Sequence, residues 1–183
     1  VRADGSAPPE RLEAARRGHS PAIARGRDRL AFAQHLSDND IHAFEPGRPD
    51  VPVVTSSSPD HGPAFSPDGR RIAFESGRSG DVEEIWLAAA DGTGPTQLTH
   101  GPGGWQGSPS CSPDGRRIAF DSRGADGFFD IWTIDVDGSG LRQLSDHVGA
   151  ESFYFPAWSP DGRRLAAVDQ VGGTWLLDLE ATR

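Results

Sequence analysis

The sequence predicts an all-β fold made of repeated antiparallel sheets, and three observations lead to this expectation. A ten-residue segment occurs three times in the 183 residues, at spacings of 46 and 47 residues. Pro-Asp-Gly and Asp-Gly pairs separate short runs rich in β-branched and aromatic residues, which is typical of tight hairpins. We find no convincing amphipathic helix, because the helix formers at residues 9–17 fall on a fourth strand in the repeat register.

The recurring segment combines a turn with the apolar strand that follows it. It begins at Phe65, Cys111 and Trp158, and it reads Ser-Pro-Asp-Gly-Arg-Arg and then Ile-Ala-Phe or Leu-Ala-Ala. A degenerate fourth copy lies upstream, where residues 21–23 precede residues 30–32 with the spacing found in the other copies. The turn glycine supplies the positive φ that a tight antiparallel reversal requires.

Two further strand signals complete each repeat. A run containing Ile-Trp, as at residues 84–87 and 130–133, is followed by an Asp-Gly turn and a short Gln-Leu strand. Four short strands repeated at this period predict the blades of a β-propeller. The predicted repeat units cover residues 4–44, 45–89, 90–135 and 136–181, and the last blade lacks a fourth strand unless residues 9–13 supply it.

The Ser-Pro-Asp-Gly-Arg-Arg-Ile-Ala-Phe segment, the Glu-Ile-Trp strand, the Asp-Gly hairpin and the Gln-Leu-Thr strand together resemble the TolB-type propeller repeat, a relative of the WD repeat. The resemblance spans essentially the whole chain. It implies a non-enzymatic protein-binding or ligand-sensing module of the bacterial cell envelope, in the periplasm or another extracytoplasmic compartment. Because TolB-like propellers usually have six blades, we expect the four units to be an arc of a larger ring.

Charge and composition exclude several classes of function. Eighteen basic residues, all arginine, stand against 27 acidic ones, and the net charge of −9 argues against binding of nucleic acid or anionic lipid. No apolar run approaches the ~20 residues of a spanning helix, so direct membrane insertion is not expected. The single cysteine, Cys111, has no partner for an internal disulfide and should be a buried, unreactive thiol.

Two segments superficially resemble chemical sites but are better explained as loops and turns. The Gly-His-Ser-Pro-Ala segment around Ser20 lacks the strand-to-helix context of a serine-hydrolase elbow, because the repeat register places Ser20 in the loop before a first strand. Residues 135–140 look like part of a calcium loop, yet Thr133 and Leu144 stand where an EF-hand needs carboxylates. We therefore predict no catalytic residue, no metal and no cofactor.

Two other repeated features are interpreted as structural. The arginine pairs predict a solvated hairpin edge in which the arginines pair with the turn aspartates, Asp68, Asp114 and Asp161. The tryptophans at one repeated strand position are predicted to form the core between blades: Trp86, Trp132 and Trp175.

The segment before each first strand is the most variable part of the repeat. First strands line the channel of a propeller, so these segments form one rim of its mouth, and binding residues concentrate on loops held by a rigid scaffold. The rim offers imidazole, carboxylate, amide and aromatic groups, from His19, His61, Trp105, Gln106, Glu151 and Tyr154. We predict that this rim binds another protein or peptide, or a small ligand.

Two alternatives stay open at this point. The chain resembles the accessory propellers of prolyl-oligopeptidase-like serine peptidases, in which case the catalytic domain would lie outside it. It could also be one arc of a self-assembling ring, in which an exposed apolar blade face drives homo-oligomerisation.

Overall fold

The computed structural model describes residues 18–24, 29–35, 39–101, 104–146 and 151–179. These residues form fifteen strands, and none of them belongs to a helix that could cross a membrane. The strands are β1 (Gly18–Ile23), β2 (Leu30–His35), β3 (Asn39–Phe44), β4 (Val51–Val54), β5 (Asp60–Phe65), β6 (Arg71–Ser76), β7 (Glu84–Ala89), β8 (Thr96–Gln97), β9 (Gln106–Cys111), β10 (Arg117–Arg123), β11 (Phe129–Asp135), β12 (Arg142–Gln143), β13 (Phe153–Trp158), β14 (Arg164–Asp169) and β15 (Thr174–Asp178).

The strands form four antiparallel sheets in chain order, which we call blades. Blade 1 contains β1–β4, blade 2 β5–β8, blade 3 β9–β12 and blade 4 β13–β15. The first strand of each blade contacts the first strand of the next, so these inner strands surround a common axis. The all-β propeller architecture is thereby confirmed, whereas the larger ring stays a prediction. Residues 9–13, the predicted source of a missing fourth strand, lie outside the described residues.

The Ser-Pro-Asp-Gly turn is stabilised by short-range hydrogen bonds. In blade 2, Asp68 Oδ1 accepts from Ser66 Oγ at 2.6 Å and from the backbone N–H of Arg70 at 3.0 Å. These bonds favour the ionised form and lower the pKa of Asp68. The turns at Asp114 and Asp161 repeat both hydrogen bonds. The turn aspartate therefore binds the backbone of the first arginine, where we had expected a pair with its side chain.

The second arginine of the motif reaches the next blade. Arg71 Nη2 donates to the Gly115 carbonyl at 2.9 Å, and the Arg117 guanidinium lies 4.9 Å from the ring centroid of Trp158. A cation above an indole face gains electrostatic energy as well as packing. The predicted solvated edge is thus also a contact between blades at these two positions.

The apolar core lies between the blades. Three clusters of buried side chains fill the junctions between blades 1 and 2, 2 and 3, and 3 and 4. Trp86 and Trp132 pack against the first two clusters, as predicted, whereas Trp175 is 46% exposed and contacts the edge of Phe153. Alternate residues of each strand face opposite sides of the sheet, so blades 2 and 3 each contribute to the cores on both of their sides.

Candidate binding site at the channel mouth

The first strand of each blade contains the same irregularity at its third residue. The residue there has a φ between +52° and +55°, and the strand register shifts at that point in all four blades. A proline follows in every case. The positions are Ser20, Gly62, Ser108 and Phe155. Three of the four are not glycine, and a positive φ in such residues is uncommon and costs energy, so this backbone shape is imposed by the surrounding fold.

These residues correct one prediction. We placed Ser20 and its equivalents in the loops before the first strands, but they lie within β1, β5, β9 and β13. The channel rim is therefore built from strand backbone and is more rigid than a set of loops. The repeated X-Pro pair in the inner strands is the sequence signal that could have indicated it.

The four irregular segments surround a cavity of about 220 Å³. Its lining consists of the four residues with positive φ, the prolines that follow them and one carboxyl group, that of Glu75 on β6. Phe155 lies at the edge of the cavity and is 66% exposed. The cavity thus combines rigid proline walls, an aromatic ring, hydroxyl groups and an acid.

Glu75 occupies a space that depends on two glycines. A Cβ atom added at Gly62 or at Gly107 would lie 2.9 Å or 2.5 Å from its carboxyl oxygens. The backbone N–H of Ser108, in blade 3, donates to Glu75 Oε2 at 3.3 Å. The side chain therefore links blades 2 and 3 beside the channel. Sequence reasoning missed Glu75, whose signal was a carboxylate directly after the apolar run at residues 72–74.

The pKa of Glu75 is raised from 4.5 to about 8. Burial is the main cause, and the neighbouring carboxylates of Glu83 and Asp121 contribute in the same direction. The hydrogen bond from the Ser108 backbone acts in the opposite direction. Glu75 is consequently protonated at neutral pH and can donate a hydrogen bond into the cavity. An approaching cation would favour its ionisation and release a proton.

Asp121 has the corresponding position in blade 3. It is buried, and its Oδ2 accepts from the backbone N–H of Phe155, in blade 4, at 3.0 Å. Burial also raises the pKa of Asp121. The equivalent residues of blades 1 and 4 are Ala33 and Val168, so acids of this kind stand only at the two junctions that follow blades 2 and 3.

The structure brings the two predicted histidines together. The ring centroids of His19 and His61 are 5.8 Å apart, and Asn39 Nδ2 lies 3.1 Å from His61 Nδ1. His61 Nε2 is 3.9 Å from Glu83 Oε1, and burial raises the pKa of Glu83. These side chains form a polar group on the rim beside blades 1 and 2.

The other predicted rim residues are arranged less uniformly. Trp105 is 46% exposed, and the Tyr154 ring lies 4.9 Å from that of Phe129. Gln106 is completely buried, with its Nε2 3.4 Å from Ser122 Oγ, so its side chain is not presented at the surface. Glu151 is half-buried just before β13.

The rejected chemical motifs have structural explanations. Ser20 Oγ lies 3.2 Å from His19 Nδ1, but the strand continues through it to Ile23 and no nucleophile elbow is formed. Asp137 Oδ1 accepts from both the backbone and the hydroxyl of Ser139, which closes a turn. In the described ranges, no group of three His, Cys, Asp or Glu side chains could hold a metal ion.

Cys111 is half-buried in β9 and has the properties expected of an unreactive thiol. Its Sγ lies 3.7 Å from the Ala64 carbonyl oxygen, and burial raises its pKa to about 12. The thiolate form is therefore negligible at neutral pH.

A comparison with protein families gives a match to the TolB beta propeller domain over residues 3–181. This chain belongs to the TolB β-propeller family. The match covers nearly every residue and agrees with the repeat and with the four sheets. No curated protein matches the chain.

Solved structures of TolB proteins are similar to this TolB-type propeller. A putative TolB from Agrobacterium tumefaciens is 26% identical, with a TM-score of 0.75 over 90% of this chain and 62% of that one. TolB from Acinetobacter baumannii is 19% identical, with a TM-score of 0.73 over 88% of this chain and 40% of that one. The chain therefore spans less than two thirds of either protein.

Enzymes share the fold as well. A puromycin-hydrolyzing peptidase from Mycobacterium tuberculosis is 19% identical, with a TM-score of 0.66 over 87% of this chain and 27% of that one. At this identity the likeness shows the fold alone. The fold alone therefore does not decide the activity, and function has to be argued from the site.

Proposed function

We propose that this chain is a non-enzymatic binding module that holds an extended segment of another protein at the channel mouth, in an extracytoplasmic compartment. Membership of the TolB family and the similarity to two TolB structures support the general class. The bacterial periplasm is the compartment that this family suggests.

One observation carries the proposal: four irregular inner-strand segments converge on a single cavity. The positive φ of the non-glycine residues Ser20, Ser108 and Phe155 costs energy, and such strain is characteristic of functional sites. The prolines that follow cannot donate hydrogen bonds and keep the wall rigid. A rigid wall reduces the entropy lost on binding, which favours capture of a flexible peptide.

The chemistry of the mouth favours a positively charged segment. Glu75, Glu83 and Asp121 lie near one another, and the net charge of the chain is −9. A lysine or arginine side chain would favour ionisation of these acids, which burial otherwise opposes. The exposed rings of Trp105 and Phe155 could contact its aliphatic part or its charge. We expect bound segments to be enriched in basic residues.

The proposal is tested by selecting displayed random peptides of about 12 residues against the chain and measuring their affinity by calorimetry. The test variant combines His61→Ala with Trp105→Ala. Leu141→Ala is the control, because this leucine is exposed and lies between β11 and β12, outside the residues that line the cavity. We expect at least about a tenfold weaker affinity for the double variant, or about 1.4 kcal/mol, and no change for the control.

Two results would reject the proposal: the selection yields no peptide, or the peptides bind all three proteins equally. Peptides that lack lysine and arginine enrichment would reject the charge preference alone and keep the site.

A second candidate is an accessory propeller of a serine peptidase, because the fold is similar to that of the mycobacterial peptidase. In that case a hydrolase domain would belong to the same polypeptide outside this chain. The protein purified from its native cells decides between the candidates. A single polypeptide whose mass-spectrometric peptides match both this chain and a serine-hydrolase domain would favour the peptidase.

A further inference from the structure

Glu75 supplies the carboxyl group of the cavity at the channel mouth. Among the described residues that line this cavity, it is the one that can carry a charge. The rest of the lining consists of prolines, a glycine, an aromatic ring and two serines. Prolines have no N–H group, and the serine hydroxyls are neutral. Within the lining, a cation that enters the cavity can therefore be balanced by Glu75 alone.

The surroundings of Glu75 lie inside the described arc. Its strand, β6, belongs to blade 2, and the backbone N–H that it accepts, that of Ser108, belongs to blade 3. The inner strand of blade 2 contacts that of blade 1, and the inner strand of blade 3 contacts that of blade 4. The neighbours that set the environment of this carboxyl group are thus residues that the structure describes.

The space around the carboxyl group depends on two departures from the repeat. At the position with positive φ, blade 2 has Gly62, whereas the other three blades have a side chain there. At the position of His61, which pairs with Glu75 across β5 and β6, blade 3 has Gly107, whereas the other blades have a ring there. A Cβ atom at either glycine would collide with a carboxyl oxygen of Glu75, and at Gly107 it would also lie 3.3 Å from Asp121 Oδ1. The sequence therefore keeps room for this carboxyl group where the other blades place side chains.

The titratable groups that face Glu75 come from several elements. Asp121 lies on β10 and Glu83 precedes β7, and both act on Glu75 as negative charges. His61, on β5, is its cross-strand neighbour, and the ring of His19, on β1, lies behind that of His61. None of the described arginines forms an ion pair with Glu75. The charge that would stabilise its carboxylate has to come from a bound group.

The protonation of Glu75 is linked to what the cavity holds. With its pKa at about 8, the carboxyl group keeps its proton at neutral pH while the cavity holds no cation. A positive charge placed beside it favours the carboxylate and lowers the pKa. Entry of a cation and loss of the proton are therefore thermodynamically coupled, and each promotes the other.

We propose that the channel mouth exchanges a proton for a cationic side chain at Glu75, so that it binds basic segments more tightly as the pH rises. This inference rests on the proposed function, because it concerns the same cavity and the same class of bound segment. In the exchange, the carboxylic acid gives its proton to the solvent, and the carboxylate receives an ammonium or guanidinium group. The mouth thus holds a basic partner at neutral or mildly alkaline pH and releases it in acid.

The test uses a hexalysine peptide with blocked ends as the probe and the same peptide with every lysine acetylated as its control. Calorimetry at about 0.15 M salt measures the affinity between about pH 6 and pH 9. For the wild type, the affinity should rise by about tenfold from pH 6 to pH 7 and level off above about pH 8. The acetylated peptide should show no such rise.

The number of protons released separates Glu75 from other groups. Calorimetry at about pH 7.5, in two buffers of different ionisation enthalpy, should show release of about 0.5 to 1 proton per peptide. Exposed carboxylates are already ionised at this pH, and an imidazole with an ordinary pKa of about 6.5 is largely neutral. Binding elsewhere on the acidic surface therefore releases almost none. The variant that combines His19→Gln with His61→Gln should bind more weakly and still release the proton.

Glu75→Gln is the decisive variant, because an amide of similar shape cannot ionise. It should release no proton and should lose the rise in affinity between pH 6 and pH 8, a difference of at least about tenfold. Glu84→Gln is the matched control, since burial also raises the pKa of Glu84 but this residue does not line the cavity. It should retain both the release and the rise.

A measurement on the wild type needs no variant. In the NMR spectrum of the chain labelled with ¹³C at the glutamate carboxyl groups, one signal should titrate near pH 8, and saturating hexalysine should lower its midpoint by at least about one pH unit. Absence of a glutamate that titrates near pH 8 would overturn the exchange.

The remaining outcomes separate this inference from the proposed function. Hexalysine that binds without proton release, or a Glu75→Gln variant that still releases a proton, would overturn the exchange and leave the binding module standing. The same holds if selected peptides bind at the mouth and hexalysine does not bind at any pH. Failure of both the selected peptides and hexalysine to bind would overturn both proposals.

Discussion

Blades 3 and 4 are built from nearly the same sequence motif, yet the sides that face away from the preceding blade differ in solvent exposure. In blade 3 the side facing away from blade 2 is buried beneath blade 4, with Ala119 and Ile131 at 0% exposure. In blade 4 the equivalent side is open, and Leu176 is 67% exposed. The contrast shows that the motif builds a sheet with two packing sides, and that a neighbour decides whether each side becomes core.

The largest effect should come from truncating the same leucine in two blades. Leu87→Ala should lower the free energy of unfolding by about 2–4 kcal/mol, because a buried leucine leaves a cavity between blades 2 and 3. Leu176→Ala should change it by less than about 0.5 kcal/mol. Urea unfolding of both variants beside the wild type measures the two changes. Equal losses would contradict the assignment of a buried and an open leucine.

A smaller effect should be the same in both blades, because it arises within the turn. Gly115 and Gly162 have φ values of +69° and +70°. An alanine at either position is forced into the left-handed region and should cost about 1–2 kcal/mol. Thermal unfolding of Gly115→Ala and Gly162→Ala gives the comparison. A loss seen in blade 3 alone would mean that the turn depends on its neighbours.

The dependence of stability on pH should distinguish the junction between blades 2 and 3 from the exposed side of blade 4. The pKa of Glu75 is raised from 4.5 to about 8, so between these values the folded chain holds a proton that the unfolded chain releases. Stability should therefore fall as the pH rises through this window and level off above it, by at most about 1.4 kcal/mol per pH unit. Glu75→Gln should flatten the profile.

The matching control is made at the equivalent position of blade 4. Val168→Ala should leave the pH profile of the wild type in place, since no titrating group is changed. Unfolding free energies measured from pH 5 to about 9 provide the comparison. A slope that persists in Glu75→Gln would assign it to other carboxyl groups, such as Glu84, whose pKa burial also raises.

Local sequence was sufficient for the parts of the molecule that depend on neighbours in the chain. The turn hydrogen bonds of Asp68, Asp114 and Asp161 join residues only two positions apart. The prediction of four repeated units, of antiparallel hairpins and of Trp86 and Trp132 packed between blades followed from periodicity. The structure places His19 and His61 side by side, and their role in binding stays a prediction.

The parts that were missed depend on residues that are distant in the sequence. Glu75 meets Ser108 across a junction, and Asp121 meets Phe155 in the same way. Neither contact is visible in a single repeat. The positive φ of Ser108 and Phe155 was missed because it conflicts with the ordinary preference of these residues and is imposed by packing around the channel.

The sequence by itself determined the repeat, the hairpins and the alternation of apolar residues, because these rest on interactions within a few residues. Only the tertiary structure decided which alternate faces are buried, which acids lie in the channel with a raised pKa, and that Leu87 and Leu176 have opposite exposures. The physical reason is that burial and desolvation belong to the arrangement of neighbouring sheets. One repeat carries no information about whether another sheet covers it.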